Sequence, residues 1–344
     1  MKTESVDQSL WKRANTDWMR DARWGVMVHF LDIPPSSPAP VKITAEEWNR
    51  RVDGFDLPRL VEQLQEVGAP YLIFTLGQSS GFFCSPNATY DRLVGENPSW
   101  LSRRDLVGEL AEALALAGIR LIVYLPAHAP GWHARAVEGL QCVPPWDVGK
   151  WAGSYAGASL GDERLTEFQK NWEAISREWS LRWGRNVHGW WIDGCYYADQ
   201  MYRHDDAPNF RSFAEALKAG NPDSLVAFNP GVLVPIISHT EFEDYTAGEA
   251  NAMVTPNKFH TFQRFINGAQ FQVLSFLGDF WCVGEPRYPD ELVVEYTRYI
   301  NSFEGAVTWD VPIFADGRIP DSYMRQLAKV GGSISKCAPA KCGK

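Results

Sequence analysis

Asp193 is the residue whose surroundings point most directly to chemistry. It closes the run Gly189-Trp190-Trp191-Ile192-Asp193 and is followed by Gly194, so a lone ionisable group ends an apolar, aromatic stretch. Burying an ionised carboxylate without partners is costly, and a fold that keeps one in such a place surrounds it with donors. The plainer alternative is a carboxylate that caps a following helix. A second carboxylate, Glu249, ends Thr246-Ala247-Gly248-Glu249, just past another apolar run that itself contains Glu243 and Asp244. Glu285, in Gly284-Glu285-Pro286, is the fallback. A pair of this kind, one group ionised and one holding a proton, is what cleavage of a glycosidic bond requires. One attacks the anomeric carbon or activates water, while the other protonates the leaving oxygen.

Several polar and aromatic residues could line the same cleft. His29 ends an apolar run and reads as a sugar-hydroxyl donor, or else as a satisfied core histidine. Gln78 and Ser79, with Ser80, form a polar cluster after another buried run, although Ser-Ser-Gly is also ordinary turn chemistry. His128 and Trp132, in Pro126-Ala127-His128-Ala129-Pro130-Gly131-Trp132, suit a sugar platform. Trp191, Asn229 and Trp281 complete the candidate substrate contacts. Trp190 and Trp191 should point to opposite sides of their strand, one inward and one beneath a helix. His204-Asp205-Asp206 reads as a solvated loop, and no Cys/His spacing suggests a metal site.

These residues need elements to hold them. Eight short runs are apolar, β-branched or aromatic, with Gly or Pro at their borders. They are Trp24–Phe30, Pro70–Leu76, Arg120–Leu125, Gly189–Asp193, Leu225–Asn229, Phe242–Thr246, Gln272–Leu277 and Gly305–Val311. Most are apolar at consecutive positions, as strands covered on both faces are. Helical periodicity fills several of the gaps, at Leu57–Val67, Arg104–Leu116 (with Ser102 as candidate N-cap), Leu165–Trp183 and Asn209–Lys218. Alternating strands and helices predict a single (β/α)8 barrel over about residues 18–332, between a polar N-terminal arm and a short tail. A doubly wound open sheet is the competitor, weakened because no Gly-rich phosphate loop follows the first strand. Gly131–Leu160 reads as a long excursion after the third strand, of the sort that lines active sites.

The bulk composition narrows the function classes. The net charge of −9 disfavours nucleic acid or an anionic membrane as partner. No apolar run reaches the length of a membrane span, and the N-terminus lacks an apolar signal region. Six cysteines without CxxC spacing fit a reducing compartment, so a cytoplasmic location is expected, without cofactor and with homo-oligomerisation open. Fifteen tryptophans beside 12 tyrosines and 18 phenylalanines suit either a well-packed core or stacking on sugar faces.

The chain also resembles the α-L-fucosidases of glycoside hydrolase family 29. Trp24-Gly25-Val26-Met27-Val28-His29 is similar to that family's first strand, and Trp191-Ile192-Asp193-Gly194 to its nucleophile motif. Val67-Gly68-Ala69-Pro70-Tyr71, Arg104-Asp105-Leu106-Val107-Gly108-Glu109-Leu110 and Asp316-Gly317-Arg318-Ile319-Pro320 resemble further family segments in the same order. Thr246-Ala247-Gly248-Glu249 looks like the loop that carries the acid/base in some members. The resemblance implies a retaining double displacement on a terminal α-L-fucoside or related glycoside, with Asp193 as nucleophile and Glu249 as acid/base. The departures lie in the sugar-binding subsite. Gln78-Ser79-Ser80-Gly81-Phe82 stands where members carry His-His-Asp-Gly-Phe, and Asn229-Pro230-Gly231 where they carry Asn-Asp-Arg. Replacing paired donors shifts discrimination among substrates by orders of magnitude. The alternative implied by these changes is a catalytically inactive glycan-binding barrel of the same fold.

Overall fold

The computed structural model describes residues 11–32, 43–142, 164–195, 199–232, 236–256 and 261–334. Residues 143–160 of the expected excursion, the first ten residues and the tail cysteines Cys337 and Cys342 lie outside them. Seven of the expected strands form one parallel sheet: β1 (Trp24–Val28), β2 (Tyr71–Thr75), β3 (Arg120–Pro126), β4 (Val187–Asp193), β5 (Leu225–Phe228), β6 (Gln272–Phe276) and β7 (Ala306–Val311). Their order is β5-β4-β3-β2-β1-β7-β6, with registers such as Val26 opposite Leu72 and Tyr124 opposite Trp191. Every residue of β1, β2, β5, β6 and β7 is buried, which explains their unbroken apolar reading.

The sheet curls. Met27, Ile73, Tyr124, Trp191, Ala227, Leu274 and Ala306, one from each of the seven strands, belong to a single inner cluster, and Tyr245, Ala247 and Trp281 join it. Residues 244–250 join the two edge strands, with Asp244 N bonded to Val226 O of β5 and Ala250 N to Leu274 O of β6. The opposite face packs under helices Leu57–Val67, Leu106–Leu116, Thr166–Trp183, Phe210–Leu217, Asp290–Asn301 and Asp321–Ile334. Trp190 lies on that outer side, stacked on Trp183, while Trp191 lies inside, as alternation along a strand requires.

Local chemistry sets the helix borders. Asp56 accepts from the Arg59 amide and Gly68 closes that helix in the left-handed region. Asp105, rather than the expected Ser102, caps Leu106–Leu116 by accepting from the Gly108 amide at 2.9 Å. Asn209 and Ser212 form a reciprocal cap at the start of Phe210–Leu217. Among the described residues seven tryptophans are almost wholly buried, so packing accounts for much of the tryptophan content. On Thr166–Trp183 the indole of Trp172 donates to Pro126 O of β3, and those of Trp179 and Trp183 donate to Pro86 O and to the helix-capping Asp105, tying the helix to the sheet and its neighbours.

The sixth expected strand, Phe242–Thr246, is the one correction to the strand list. It takes the place between the two edges of the sheet, but carboxylate side chains do part of the work of a backbone ladder. The Val226 amide of β5 donates to Asp244 Oδ2 at 2.8 Å and the Phe228 amide to Glu243 Oε2 at 3.1 Å. Backbone bonds supply the rest: Asp244 N to Val226 O, Thr246 N to Gln270 O, and Ala250 N to Leu274 O of β6. Burial pushes the Glu243 carboxyl up to about 8. Asp244 is fully buried and also accepts from Lys218 Nζ at 2.6 Å and the Ala14 amide at 2.6 Å.

Asp244→Ala strands the Lys218 ammonium and two amides away from water. The variant is expected to lose about 3–5 kcal/mol of unfolding free energy, measurable as a lower denaturant midpoint at unchanged slope.

Candidate active site

The strand ends bring most of the sequence candidates to one rim of the curled sheet. Asp193 is the last residue of β4, and its Oδ1 accepts from the Gly194 amide at 2.8 Å and from Asn229 Nδ2 at 2.8 Å. Its Oδ2 accepts from the Tyr124 hydroxyl at 2.5 Å. The carboxylate is therefore surrounded by donors, and its amide bond to Gly194 stays within the turn rather than capping a helix. Gly194 has φ of +80°, and a Cβ there would meet the His128 ring at 2.9 Å, so glycine lets the imidazole lie against the turn after Asp193.

Glu249 arrives from the irregular sixth segment. Gly248, at φ +68°, passes so close to Gln272 O that a Cβ would sit 2.1 Å from it. The segment is locked to β6 through Leu274 N to Gly248 O and Ala250 N to Leu274 O, each 2.8 Å. Trp191 Nε1 donates to Ala247 O at 3.0 Å, which fastens the same segment to β4. This places Glu249 Oε2 2.7 Å from Asn229 Nδ2. One amide nitrogen thus serves both carboxylates. Asn229 is fully buried, and its own oxygen accepts from the Gly231 amide at 3.0 Å, which turns the NH₂ toward Asp193 and Glu249. Burial is the main force raising the Glu249 carboxyl to about 8, the Asp193 charge adds to it, and the Asn229 bond opposes both.

Opposite this pair, His29 follows β1. Its Nδ1 lies 2.7 Å from Asp310 Oδ1, and Asp310 Oδ2 accepts from the Cys282 amide at 2.7 Å. The imidazole faces the rings of Tyr124 at 5.8 Å and Trp281 at 6.2 Å. Trp281 also packs on Phe276 and is 8% exposed. Gln78 Nε2 donates to the Tyr124 hydroxyl at 2.6 Å. Ser79 is buried, and its carbonyl accepts from the amide of half-buried Trp132 at 2.8 Å, joining the loops after β2 and β3. His128 is bonded through Nδ1 to Ala129 O, and burial lowers its pKa, which favours the neutral ring. Trp191 is 1% exposed and stacks on Tyr124 at 5.2 Å, inside the inner core.

Glu285 stands apart from this constellation. It is exposed and lines a groove with Ser322, Arg325, Gln326 and Lys329 of the last helix. Asp206, in the loop read as solvated, pairs with Arg164. Among the described residues no group of three His, Cys, Asp or Glu side chains is placed to hold a metal ion, and no helix is long and apolar enough to cross a membrane. Tyr124, given no part by the sequence, and Asp310, marked there only as a strand-end carboxylate, prove central. Strand alternation carries a signal for Tyr124, because position 124 faces the side shared by Trp191 and Asp193. Asp310 stands in a buried run at full burial, where a lone carboxylate needs a partner.

The chain matches no protein-family model and no curated protein. Its fold is similar to those of solved structures. The endo-fucoidan hydrolase P5AFcnA of glycoside hydrolase family 107 shares 13% identity at a TM-score of 0.67, covering 96% of each chain. For the family 107 endo-fucoidan hydrolase MfFcnA4 the values are 18% and 0.65, over 92% of this chain but 53% of that one, so this chain spans about half its length. A family 29 α-L-fucosidase from Bacteroides thetaiotaomicron gives 14% and 0.61, over 97% of this chain and 76% of that chain.

Gly248→Ala forces a side chain into Gln272 O at a positive φ. The expected outcome is a loss of about 1–3 kcal/mol in unfolding free energy, read from denaturant melts.

Proposed function

We propose that this protein is a retaining glycoside hydrolase acting on an α-L-fucoside or a closely related glycoside, built on a (β/α)8 barrel in which the sixth segment stands in for a strand. The observation that carries the reading is the shared amide of Asn229. Oxygens at 2.8 and 2.7 Å from one nitrogen are at most 5.5 Å apart. So close an approach of one oxygen from each group favours the carboxyl spacing of about 5–5.5 Å that suits a double displacement over the spacing of about 6.5–9.5 Å that admits a water in inverting enzymes. The fucose-acting enzymes of similar fold support the substrate class.

In this reading a lone pair of ionised Asp193 forms the bond to the anomeric carbon as the bond to the leaving oxygen breaks. The leaving oxygen takes the Glu249 proton. Glu249, now ionised, accepts a proton from water as that water attacks the anomeric carbon, and Asp193 departs as a carboxylate. Burial beside Asp193 keeps Glu249 protonated near neutral pH, as the first step needs. His29, oriented by Asp310, with His128, Trp132 and Trp281, lines the sugar side. Ser79 and Trp191 support that wall from behind. Glu285, on its outer groove, plays no part in the chemistry. The bridged, donor-surrounded pair favours catalysis over glycan binding alone.

Aryl glycosides including α-L-fucoside and α-L-rhamnoside test the reading directly. The expected result is hydrolysis of the fucoside with the first-formed sugar retaining its anomeric configuration; an inverted product would overturn the mechanism. Asp193→Gly should abolish turnover and recover with azide, yielding the azide of opposite anomeric configuration. Because the acid form of Glu249 is required, kcat/KM should fall as pH rises through about 8, and Glu249→Gln should cost roughly 10²–10⁴-fold on a poor leaving group.

A further inference from the structure

Gln78 occupies a position where a sugar-gripping side chain was expected, yet its amide is spent on Tyr124. Gln78 Nε2 donates to the Tyr124 oxygen at 2.6 Å, and the Tyr124 hydroxyl donates to Asp193 Oδ2 at 2.5 Å. The two bonds have a fixed sense. Gln78 fills an acceptor lone pair of the phenol, and the hydroxyl proton goes to the carboxylate. Stacking on Trp191, with planes 18° apart, holds the Tyr124 ring, and the ring is 1% exposed.

The two oxygens of Asp193 are also unequal. A carboxylate oxygen carries two in-plane acceptor sites. Oδ1 receives two donors, the Gly194 amide and Asn229 Nδ2, whereas Oδ2 receives the Tyr124 hydroxyl. Attack on carbon needs an accessible lone pair, and the second site on Oδ2 provides it.

We propose that Gln78 and Tyr124 are positioning residues that hold Asp193 so that it attacks through Oδ2, with Gln78 acting through Tyr124 rather than by gripping the sugar. The inference rests on Asp193 being the nucleophile, and it adds the attacking oxygen and the group that aims it. The bond that forms is Oδ2 to anomeric carbon and the bond that breaks is anomeric carbon to leaving oxygen, which takes the Glu249 proton. Tyr124 keeps its own proton throughout. As charge leaves Oδ2 the Tyr124 bond weakens, and it is restored when the carboxylate returns.

The test uses the full chain and the aryl glycoside it turns over. Tyr124→Phe keeps the ring and its stack but removes the donor. It should lower kcat roughly ten- to a hundred-fold with KM little changed. Its acid limb of kcat/KM should move to higher pH, because a carboxylate that loses a donor is more readily protonated, while the alkaline limb stays in place. Gln78→Leu should shift the acid limb in the same sense by less, and the double variant should be no slower than Tyr124→Phe. A structure of the trapped glycosyl-enzyme should show the ester at Oδ2. An ester at Oδ1, an unmoved acid limb in Tyr124→Phe, or a Gln78→Leu variant that raises KM alone would each overturn the relay. Failure of azide to rescue Asp193→Gly would overturn the nucleophile assignment itself, so that outcome is separable from a failure of the relay.

Discussion

A single buried side-chain amide bridges the two carboxylates of the candidate site. Asn229 donates from one nitrogen to Asp193 and to Glu249, and its oxygen is tethered by Gly231. Two carboxylates so close would repel if both were ionised, and in a site shielded from water that repulsion is strong. The shared donor moderates it without removing it, and burial beside Asp193 still holds the Glu249 carboxyl above its ordinary range. The rest of the fold can be understood as the means of bringing three residues from three separate chain segments to this nitrogen.

Two of those segments are ordinary strands. Asp193 and Asn229 follow from the β4–β5 register, in which the Asn229 amide continues the ladder onto Ile192 O. The third is not. The segment carrying Glu249 runs between the edge strands β5 and β6, and a regular strand is replaced there by buried carboxylates and a left-handed glycine. Glu243 and Asp244 satisfy the Phe228 and Val226 amides, Lys218 balances Asp244, and Gly248 brings the backbone within reach of Gln272. These acidic side chains come shortly before Glu249 in the sequence but serve the scaffold. Glu249 differs from them in lying past the irregular stretch, on the open side of the rim.

The same division holds among the aromatic residues. Trp191 has a place in the motif around Asp193, but its indole is enclosed and fastens the Glu249 segment through Ala247. Trp281 lies closer to the open side, beside His29. Rings that look alike in a composition count therefore divide into structural anchors and wall, according to which face of which strand they occupy.

The amino-acid sequence by itself determined the alternation of strands and helices, seven of the eight strand positions, the placing of Asp193, Asn229 and His29 at strand ends, and that of Glu249 just past the sixth apolar run. Those features are encoded locally, by runs of consecutive apolar residues, helical periodicity, and the polar residue that ends each run. Only the tertiary structure decided that Glu285 faces an outer groove, that the sixth strand is replaced by side-chain bonds, and that Gln78 turns to Tyr124. It also decided that one amide joins the two carboxylates. Each of these depends on distances between residues remote in the chain, set by the curl of the sheet and the strand register, and no local pattern of residue types records such distances.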